Sequence, residues 1–166
     1  YRRDMPQTKW FCRVCKGKGC RKCGYTGKTY EKSVEEAIAK PFLTATGGAG
    51  ESFHGAGRED IDARMLGNGR PFVLEVINPI TRDMDLSSIE AEINASNKGE
   101  IEVSGLRFSD GDEIVRIKDA EFKKVYRVVF KGETPLNTEK LKKAIRSLQG
   151  ATIRQFTPLR VAHRRA

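Results

Sequence analysis

The sequence predicts an α+β fold preceded by a small four-cysteine metal-binding module. Two observations predict the fold: apolar residues recur at helical spacing in some segments, and alternate or form short apolar runs in others. A third predicts the module, because all four cysteines of the 166-residue chain lie within residues 12–23. We expect the module in residues 1–28. Residues 29–166 should form a mixed, largely antiparallel sheet with flanking helices.

The cysteines form two Cys-x2-Cys pairs separated by four residues, at Cys12, Cys15, Cys20 and Cys23. Each pair can place two thiolates on one metal from a tight turn, and four thiolates in a tetrahedron suit zinc best. An iron site of the rubredoxin type is the second possibility. Two disulfides or a redox pair are further alternatives, but disulfides need an oxidising compartment that nothing in the sequence indicates. We therefore expect structural zinc.

Three aromatic residues flank the cysteines. Trp10, Phe11 and Tyr25 could form a small apolar core for the module or a platform on which bases stack. We expect Phe11 in the core, and both roles stay open for Trp10.

The first predicted helix starts at a capping box, Ser33 to Glu36. Pro41 should kink or end this helix, and Gly47-Gly48 should stop it.

Three later segments also have helical signals. Residues 87–90 open one helix, residues 110–118 are compatible with a short one, and Thr138 caps another that Gly150 ends. The apolar residues expected to face inward are Leu86, Ile89, Ile93, Leu141, Ala144, Ile145 and Leu148.

Strand patterns alternate with these helices. A turn over residues 66–71 follows the first predicted strand and predicts a hairpin with the second. The predicted strands cover residues 58–66, 72–77, 100–108, 125–131 and 151–156.

Charge is concentrated at the two ends of the chain. The formal net charge is +9; residues 1–30 carry nine basic side chains and one acid, and residues 151–166 carry four arginines and no acid. Clustered basic charge is typical of nucleic-acid binding, although a solvated tail would have the same composition. No apolar run approaches the roughly 20 residues of a membrane span, and the first residues given do not have the pattern of a secretion signal. We expect a cytoplasmic protein without a membrane partner.

The predicted strand over residues 58–66 carries an unusual row of charges. Because alternate residues share a face, Arg58, Asp60, Asp62 and Arg64 should line one side. Two carboxylates between two guanidiniums can be held ionised in a cleft. The alternative is an edge strand with paired surface charges.

Residues 57–72 read GREDIDARMLGNGRPF. The first four resemble the Gly-Arg-x-Asp signature of pseudouridine synthases, and the whole run resembles the archaeal and eukaryotic tRNA pseudouridine synthase family that acts on the T loop. Further resemblances to this family are SVEE at residues 33–36, KVY at residues 124–126 and TPLRVAHRR at residues 157–165. The likeness covers roughly residues 29–166, and the cysteine module resembles the one that precedes this domain in archaeal members.

The resemblance implies a reaction and its residues. Asp60 would be the catalytic carboxylate of an RNA uridine isomerase that needs no catalytic cofactor, with Asp62 as its rival one strand step away. Arg58 would pair with Asp60 until RNA displaces it. Tyr126 would stack on the flipped uracil; the alternative is a core tyrosine.

The same resemblance implies tRNA as the partner and no obligate protein partner. The cysteine module would hold the tRNA body, and the modified uridine would be at position 54, 55 or both. The residues expected to contact RNA are Arg64, Arg160, His163, Arg164 and Arg165.

The family's pattern continues past residue 166. The resemblance therefore implies a pseudouridine-synthase-like sheet that is incomplete in this chain, and leaves open whether the chain alone is active. One alternative is a non-catalytic RNA-binding zinc module on an inactive synthase-like scaffold. Another is a chaperone-type zinc module that binds peptide, which only residues 12–19 support.

Overall fold

The computed structural model describes residues 3–57, 63–129, 131–132 and 134–154. Within these residues the fold is α+β, as predicted. The chain divides into two compact units, residues 1–123 and residues 124–166. The predicted boundary between residues 28 and 29 lies inside the first unit and stays a prediction. The elements are α1 (Val34–Thr46), β1 (Gly50–Gly55), β2 (Phe72–Ile77), α2 (Leu86–Ser96), α3 (Gly111–Asp119) and α4 (Thr138–Leu148).

The sheet of the described residues is a two-stranded antiparallel ladder of β1 and β2. Strand β2 was predicted correctly, and its partner among the described residues is Gly50–Gly55, which was not predicted as a strand; Phe53 lies opposite Leu74. Residues 63–66 belong to no strand, and residues 58–62 lie outside the described residues. The connection therefore runs from residue 56 to residue 71.

Helix α1 begins at the predicted cap. The Ser33 hydroxyl accepts a hydrogen bond from the Glu36 backbone N–H at 3.2 Å, and Gly47, with φ of 62°, ends the helix. The expectation that Pro41 kinks or ends the helix was wrong in one respect, since α1 continues to Thr46. Proline removes one intrahelical hydrogen bond. Pro41 is buried, and its packing offsets that loss.

The core of the first unit lies between α1, α2 and the sheet. Ile38 on α1 and Ile93 on α2 are deeply buried in this core, at 2% and 0% exposure. Phe53 and Phe72 stack on each other with ring centroids 5.3 Å apart and pack against this cluster. The buried members are Met5, Val34, Ala37, Ile38, Ile89, Ile93, Ile101 and Val103.

Residues 100–108 do not form the predicted strand. The alternation was interpreted correctly as burial, because Ile101 and Val103 are buried, but side chains of α2 are the hydrogen-bond partners of Val103 and Leu106. The Asn94 amide donates to the Val103 carbonyl at 2.9 Å and accepts from its N–H at 2.8 Å. The Glu90 carboxylate accepts from the Leu106 N–H at 3.0 Å. Helix α2 thus replaces a neighbouring strand.

Helix α3 confirms the prediction for residues 110–118. The Asp110 side chain caps it by accepting from the Glu113 N–H at 3.0 Å. The helix contacts both strands and buries Ile117.

The described part of the second unit contains α4. Its N-cap is Asn137 instead of the predicted Thr138, and Gly150, with φ of 69°, follows its end. Of the predicted inward face, Leu141 is half-buried whereas Ile145 and Leu148 are exposed. The strands predicted over residues 125–131 and 151–156 are absent from the described residues of both segments. No described helix is long and apolar enough to cross a membrane.

Candidate metal centre and catalytic segment

The four cysteine sulfur atoms converge on one point. All four Sγ atoms lie within 4.8 Å of one another. Three of the separations are 3.9 Å (Cys12–Cys20), 3.8 Å (Cys15–Cys23) and 3.7 Å (Cys20–Cys23). A tetrahedral zinc with Zn–S bonds of about 2.3 Å places its sulfur atoms about 3.8 Å apart. The cluster therefore has the dimensions of a four-thiolate metal site.

Backbone hydrogen bonds fold the two Cys-x2-Cys pairs into paired turns. The Lys16 N–H donates to the Cys12 carbonyl at 2.8 Å, and the Tyr25 N–H donates to the Cys20 carbonyl at 2.9 Å. The Cys12 N–H donates to the Gly27 carbonyl at 2.7 Å and ties the first turn to the end of the second. These bonds fix the sulfur positions locally.

Two glycines allow the turns to approach each other. Gly27 has φ of 73°, and a Cβ there would lie 2.3 Å from the Gly17 carbonyl oxygen. Gly19 has φ of 87°, and a Cβ there would lie 2.7 Å from the Tyr25 carbonyl oxygen. Any other residue at either position would need a positive φ and would also force a backbone apart.

Backbone N–H groups favour the ionised form of the Cys23 thiol. Burial opposes charge on Cys23, but the N–H groups of Cys20 and Gly27, at 3.2 and 3.3 Å from its sulfur, lower the pKa of Cys23 to about 6. Burial raises the pKa of Cys15 to about 11. Because a metal binds thiolates, metal binding at this cluster must displace the Cys15 proton at neutral pH.

The segment before the cysteines supplies partners for the first turn of α1. The Pro6 carbonyl accepts from the Val34 N–H at 3.0 Å, and the Gln7 carbonyl accepts from the Glu35 N–H at 2.9 Å. The first N–H groups of a helix have no partner within it. These contacts therefore give two N–H groups in the first turn of α1 a hydrogen-bond partner. They also fix the position of the chain just before the cysteines.

An ion pair joins the end of the module to α1. Lys28 Nζ lies 2.9 Å from a Glu36 carboxylate oxygen, and both side chains are mostly buried. Burial raises the pKa of Glu36, but hydrogen bonds from Lys28 and Ser33 outweigh it and the pKa is lowered. The pair holds the module against the helix.

The predicted catalytic residues Asp60 and Arg58, and the rival Asp62, lie outside the described residues. The two ends of their segment are described, and they are held together. The Ala56 N–H donates to the Pro71 carbonyl at 3.0 Å, and the Arg70 guanidinium donates to the Ala56 carbonyl at 3.0 Å. The described residues on either side of the segment, Ala56 and Arg70-Pro71, are therefore held next to each other.

A third contact holds Gly57, the residue after Ala56. The Gln7 side-chain amide donates to the Gly57 carbonyl at 3.2 Å. Sequence reasoning did not single out Gln7 or Arg70; Arg70 lies in the run at residues 57–72, whereas nothing in the sequence marks Gln7. A pocket beside these residues is lined by apolar and polar residues that include Phe53, Met65, Asn68, Arg70, Phe72 and Glu102.

The structure describes two of the remaining predicted site residues. Arg64 lies outside any helix or strand and has an exposed side chain. Tyr126 lies in the second unit, outside any helix or strand, with 64% of its side chain exposed. Arg160, His163, Arg164 and Arg165 lie outside the described residues.

The aromatic residues of the module differ from the expectation. Phe11 was expected in the module core, but it is 61% exposed, and Tyr25 is 75% exposed. Trp10 packs edge-on against Tyr30, with ring centroids 5.3 Å apart. The cluster of sulfur atoms occupies the centre of the module, so Phe11 has no interior to fill.

Comparison with known proteins gives consistent matches over the whole chain. A family model described as "Pus10, C-terminal" matches residues 1–166. Proteins named tRNA pseudouridine synthase Pus10 are 52% identical in Methanothermobacter marburgensis, 52% in Methanocaldococcus jannaschii and 49% in Methanothrix thermoacetophila, each over 99% of this chain. The chain spans only 36–40% of the length of these relatives. Its match to the family model is complete, and the chain belongs to the Pus10 C-terminal family.

Proposed function

We propose that this chain carries the catalytic part of a tRNA pseudouridine synthase that isomerises uridine in the T loop, at position 54, 55 or both. The observation that carries the proposal is the 49–52% identity to proteins of that name over nearly the whole chain. The matched region includes residues 57–72, which contain the Gly-Arg-x-Asp sequence. The hydrogen bonds that join Ala56 to Arg70 and Pro71, on either side of this sequence, support the proposal, since a catalytic carboxylate has to be held in place.

The reaction rearranges bonds within one nucleotide. The bond from uracil N1 to ribose C1′ breaks, the base turns, and a bond from C5 to C1′ forms; C5 loses its proton and N1 gains one. Asp60 acts on the flipped nucleotide as the catalytic carboxylate. Arg58 keeps Asp60 ionised by pairing with it until RNA enters, because an adjacent guanidinium favours the charged form. Tyr126 stacks on the flipped uracil.

The RNA is held mainly through its phosphates. The target base must leave its stack at a cost of roughly a few kcal/mol, which a loop with splayed bases reduces. The positive charge for these contacts comes from Arg64, four residues after Asp60 in the sequence, and from Arg160, His163, Arg164 and Arg165.

The metal of the proposed enzyme is structural zinc. The sulfur separations of 3.7–3.9 Å fit a tetrahedral ZnS4 site, and four soft thiolates favour zinc over harder cations. Zinc bound there would neutralise part of the thiolate charge and fix the two turns. Cys12, Cys15, Cys20 and Cys23 would hold it, and it would take no part in the reaction.

The test is chemical mapping of pseudouridine in an unmodified tRNA transcript incubated with the chain. We expect a new signal in the T loop, absent with Asp60→Asn. Asp62→Asn is the matched control, because it makes the same carboxylate-to-amide change two residues away, and it should retain the signal. A signal that survives Asp60→Asn and disappears with Asp62→Asn would transfer the catalytic role to Asp62. RNA binding without any signal would support the non-catalytic alternative.

A further inference from the structure

Two exposed aromatic rings lie on the cysteine module. Phe11 is 61% exposed and Tyr25 is 75% exposed. More than half of each residue is open to solvent, so both residues are accessible to a partner.

Both aromatic residues contact the segment over residues 17–19. The Phe11 ring packs on Gly17, where a Cβ would lie 3.0 Å from Phe11 Cδ1. At Gly19 the neighbour is the Tyr25 backbone, and a Cβ there would lie 2.7 Å from the Tyr25 carbonyl oxygen. Lys18 lies between these two glycines in the chain, and its side chain is exposed. An exposed cation therefore belongs to the segment that both aromatic residues contact.

The charge around the rings has a single sign. Residues 9–28 contain seven basic side chains and no acidic one. Lys9 and Lys28 pair with Glu51 and Glu36 on the neighbouring elements. Among the described residues no ion pair involves four other exposed cations of the module, Lys16, Lys18, Arg21 and Lys22.

These features favour one class of partner. Unpaired cations attract phosphates, whereas exposed rings attract the faces of unpaired bases. An apolar protein partner would have to desolvate the cations without compensation. Duplex RNA would satisfy the cations but would hide its base faces from the rings.

We propose that Phe11 and Tyr25 form a stacking platform for unpaired bases of RNA, with Lys16 and Lys18 on the adjoining phosphates. This proposal extends the proposed function. It rests on that function in one respect, because it takes the bound RNA to be the tRNA substrate. The platform binds nucleotides and takes no part in the reaction.

The experiment measures the affinity of the full zinc-loaded chain for three RNAs: an unmodified tRNA transcript, a short oligouridine and a duplex of the same length. Tyr25→Ala should weaken binding to tRNA and oligouridine about 5- to 100-fold and leave duplex binding unchanged. Tyr25→Phe should restore affinity because it keeps the ring. Tyr25→Leu should behave like Tyr25→Ala, because it keeps apolar area without an aromatic face.

Lys18→Gln tests the contribution of positive charge to RNA binding. It should weaken binding to all three RNAs and reduce the slope of log affinity against log salt by about 0.7–0.9. Zinc content is measured for every variant, so that loss of the module fold is recognised. Tyr25 is preferred to Phe11 for the main variant because the Phe11 ring packs on Gly17.

Two results would overturn the platform. One is equal affinity of Tyr25→Ala and the unaltered chain for tRNA and oligouridine. The other is full affinity in Tyr25→Leu, which would indicate an apolar contact instead of stacking. Pseudouridine formation is scored separately. Loss of RNA affinity in Tyr25→Ala with no pseudouridine formed by any variant would retain the platform and remove the catalytic proposal.

Discussion

Residues 10–29 and the α1–α2 core differ in what they bury. Within residues 10–29 only Cys12 and Gly27 are buried, whereas α1 and α2 bury a continuous aliphatic cluster that includes Ile38 and Ile93. Apolar burial can balance chain entropy in the core, but two buried residues cannot do so in the module. The comparison shows that the module has to draw its stability from metal–thiolate bonds, which leaves its aromatic and basic side chains available to a partner.

Removal of the metal should produce the largest difference in stability between the module and the α1–α2 core. Structural zinc contributes apparent free energies of about 10–16 kcal/mol in zinc-finger peptides. Chelation of the metal, or Cys23→Ser, should abolish hydrogen-exchange protection in residues 12–27 and leave protection in β2 and α2. The measurement is hydrogen exchange followed by mass spectrometry. Simultaneous loss of protection in both regions would show that they are one cooperative unit.

The reciprocal change removes packing from the core. Ile93 is fully buried, so Ile93→Ala should lower the free energy of unfolding by about 2–5 kcal/mol. The affinity of the module for zinc should be unchanged. Ile80→Ala is the control, since Ile80 is 87% exposed and its truncation should change stability by less than about 0.5 kcal/mol. Urea denaturation and zinc titration measure the two quantities; a parallel fall in zinc affinity would contradict the separation.

A matched pair of glycines tests the packing of the two cysteine turns. Gly24 and Gly27 both have positive φ, but a Cβ at Gly24 has open space whereas one at Gly27 meets the Gly17 carbonyl. Gly24→Ala should lower zinc affinity only through backbone strain. Gly27→Ala should lower it at least about tenfold further, equivalent to about 1.4 kcal/mol. Competition with a chromophoric chelator measures both, and equal effects would refute the close approach of the turns.

The smallest expected effect concerns the ion pair between module and helix. Because the pKa of Glu36 is lowered in the native state, its carboxylate contributes stability that is fully present above its unfolded pKa of about 4.3. This contribution is lost as pH falls through the lower native pKa. Glu36→Gln should therefore flatten the dependence of stability on pH in this window, with a loss at neutral pH of about 1 kcal/mol or less. An unchanged slope would show that the pair does not stabilise the fold.

The sequence predicted the local features best. The cap at Ser33, strand β2 and the inward positions of Ile89 and Ile93 were all confirmed, because each depends on neighbouring residues. The cysteine cluster was predicted for the same reason, since short spacing alone brings the sulfur atoms together.

Features that depend on distant residues were missed. Strand β1 has one large apolar residue, Phe53, between two glycines, so no alternation marks it as a strand. Residues 100–108 alternate like a strand, but Asn94 and Glu90 on α2 satisfy their backbone. The roles of Asp60, Arg58 and Tyr126 came from the resemblance and stay predictions.

The most direct test of Asp60 as the catalytic carboxylate is tritium release from tRNA labelled at uracil C5. Isomerisation replaces the C5–H bond with a C5–C1′ bond, so each turnover releases one label to water. The zinc-loaded chain and Asp62→Asn should release it in a single turnover, and Asp60→Asn should bind the tRNA equally well without releasing it. Release by Asp60→Asn at the rate of the unaltered chain, or tRNA binding by that chain without release, would contradict the catalytic assignment.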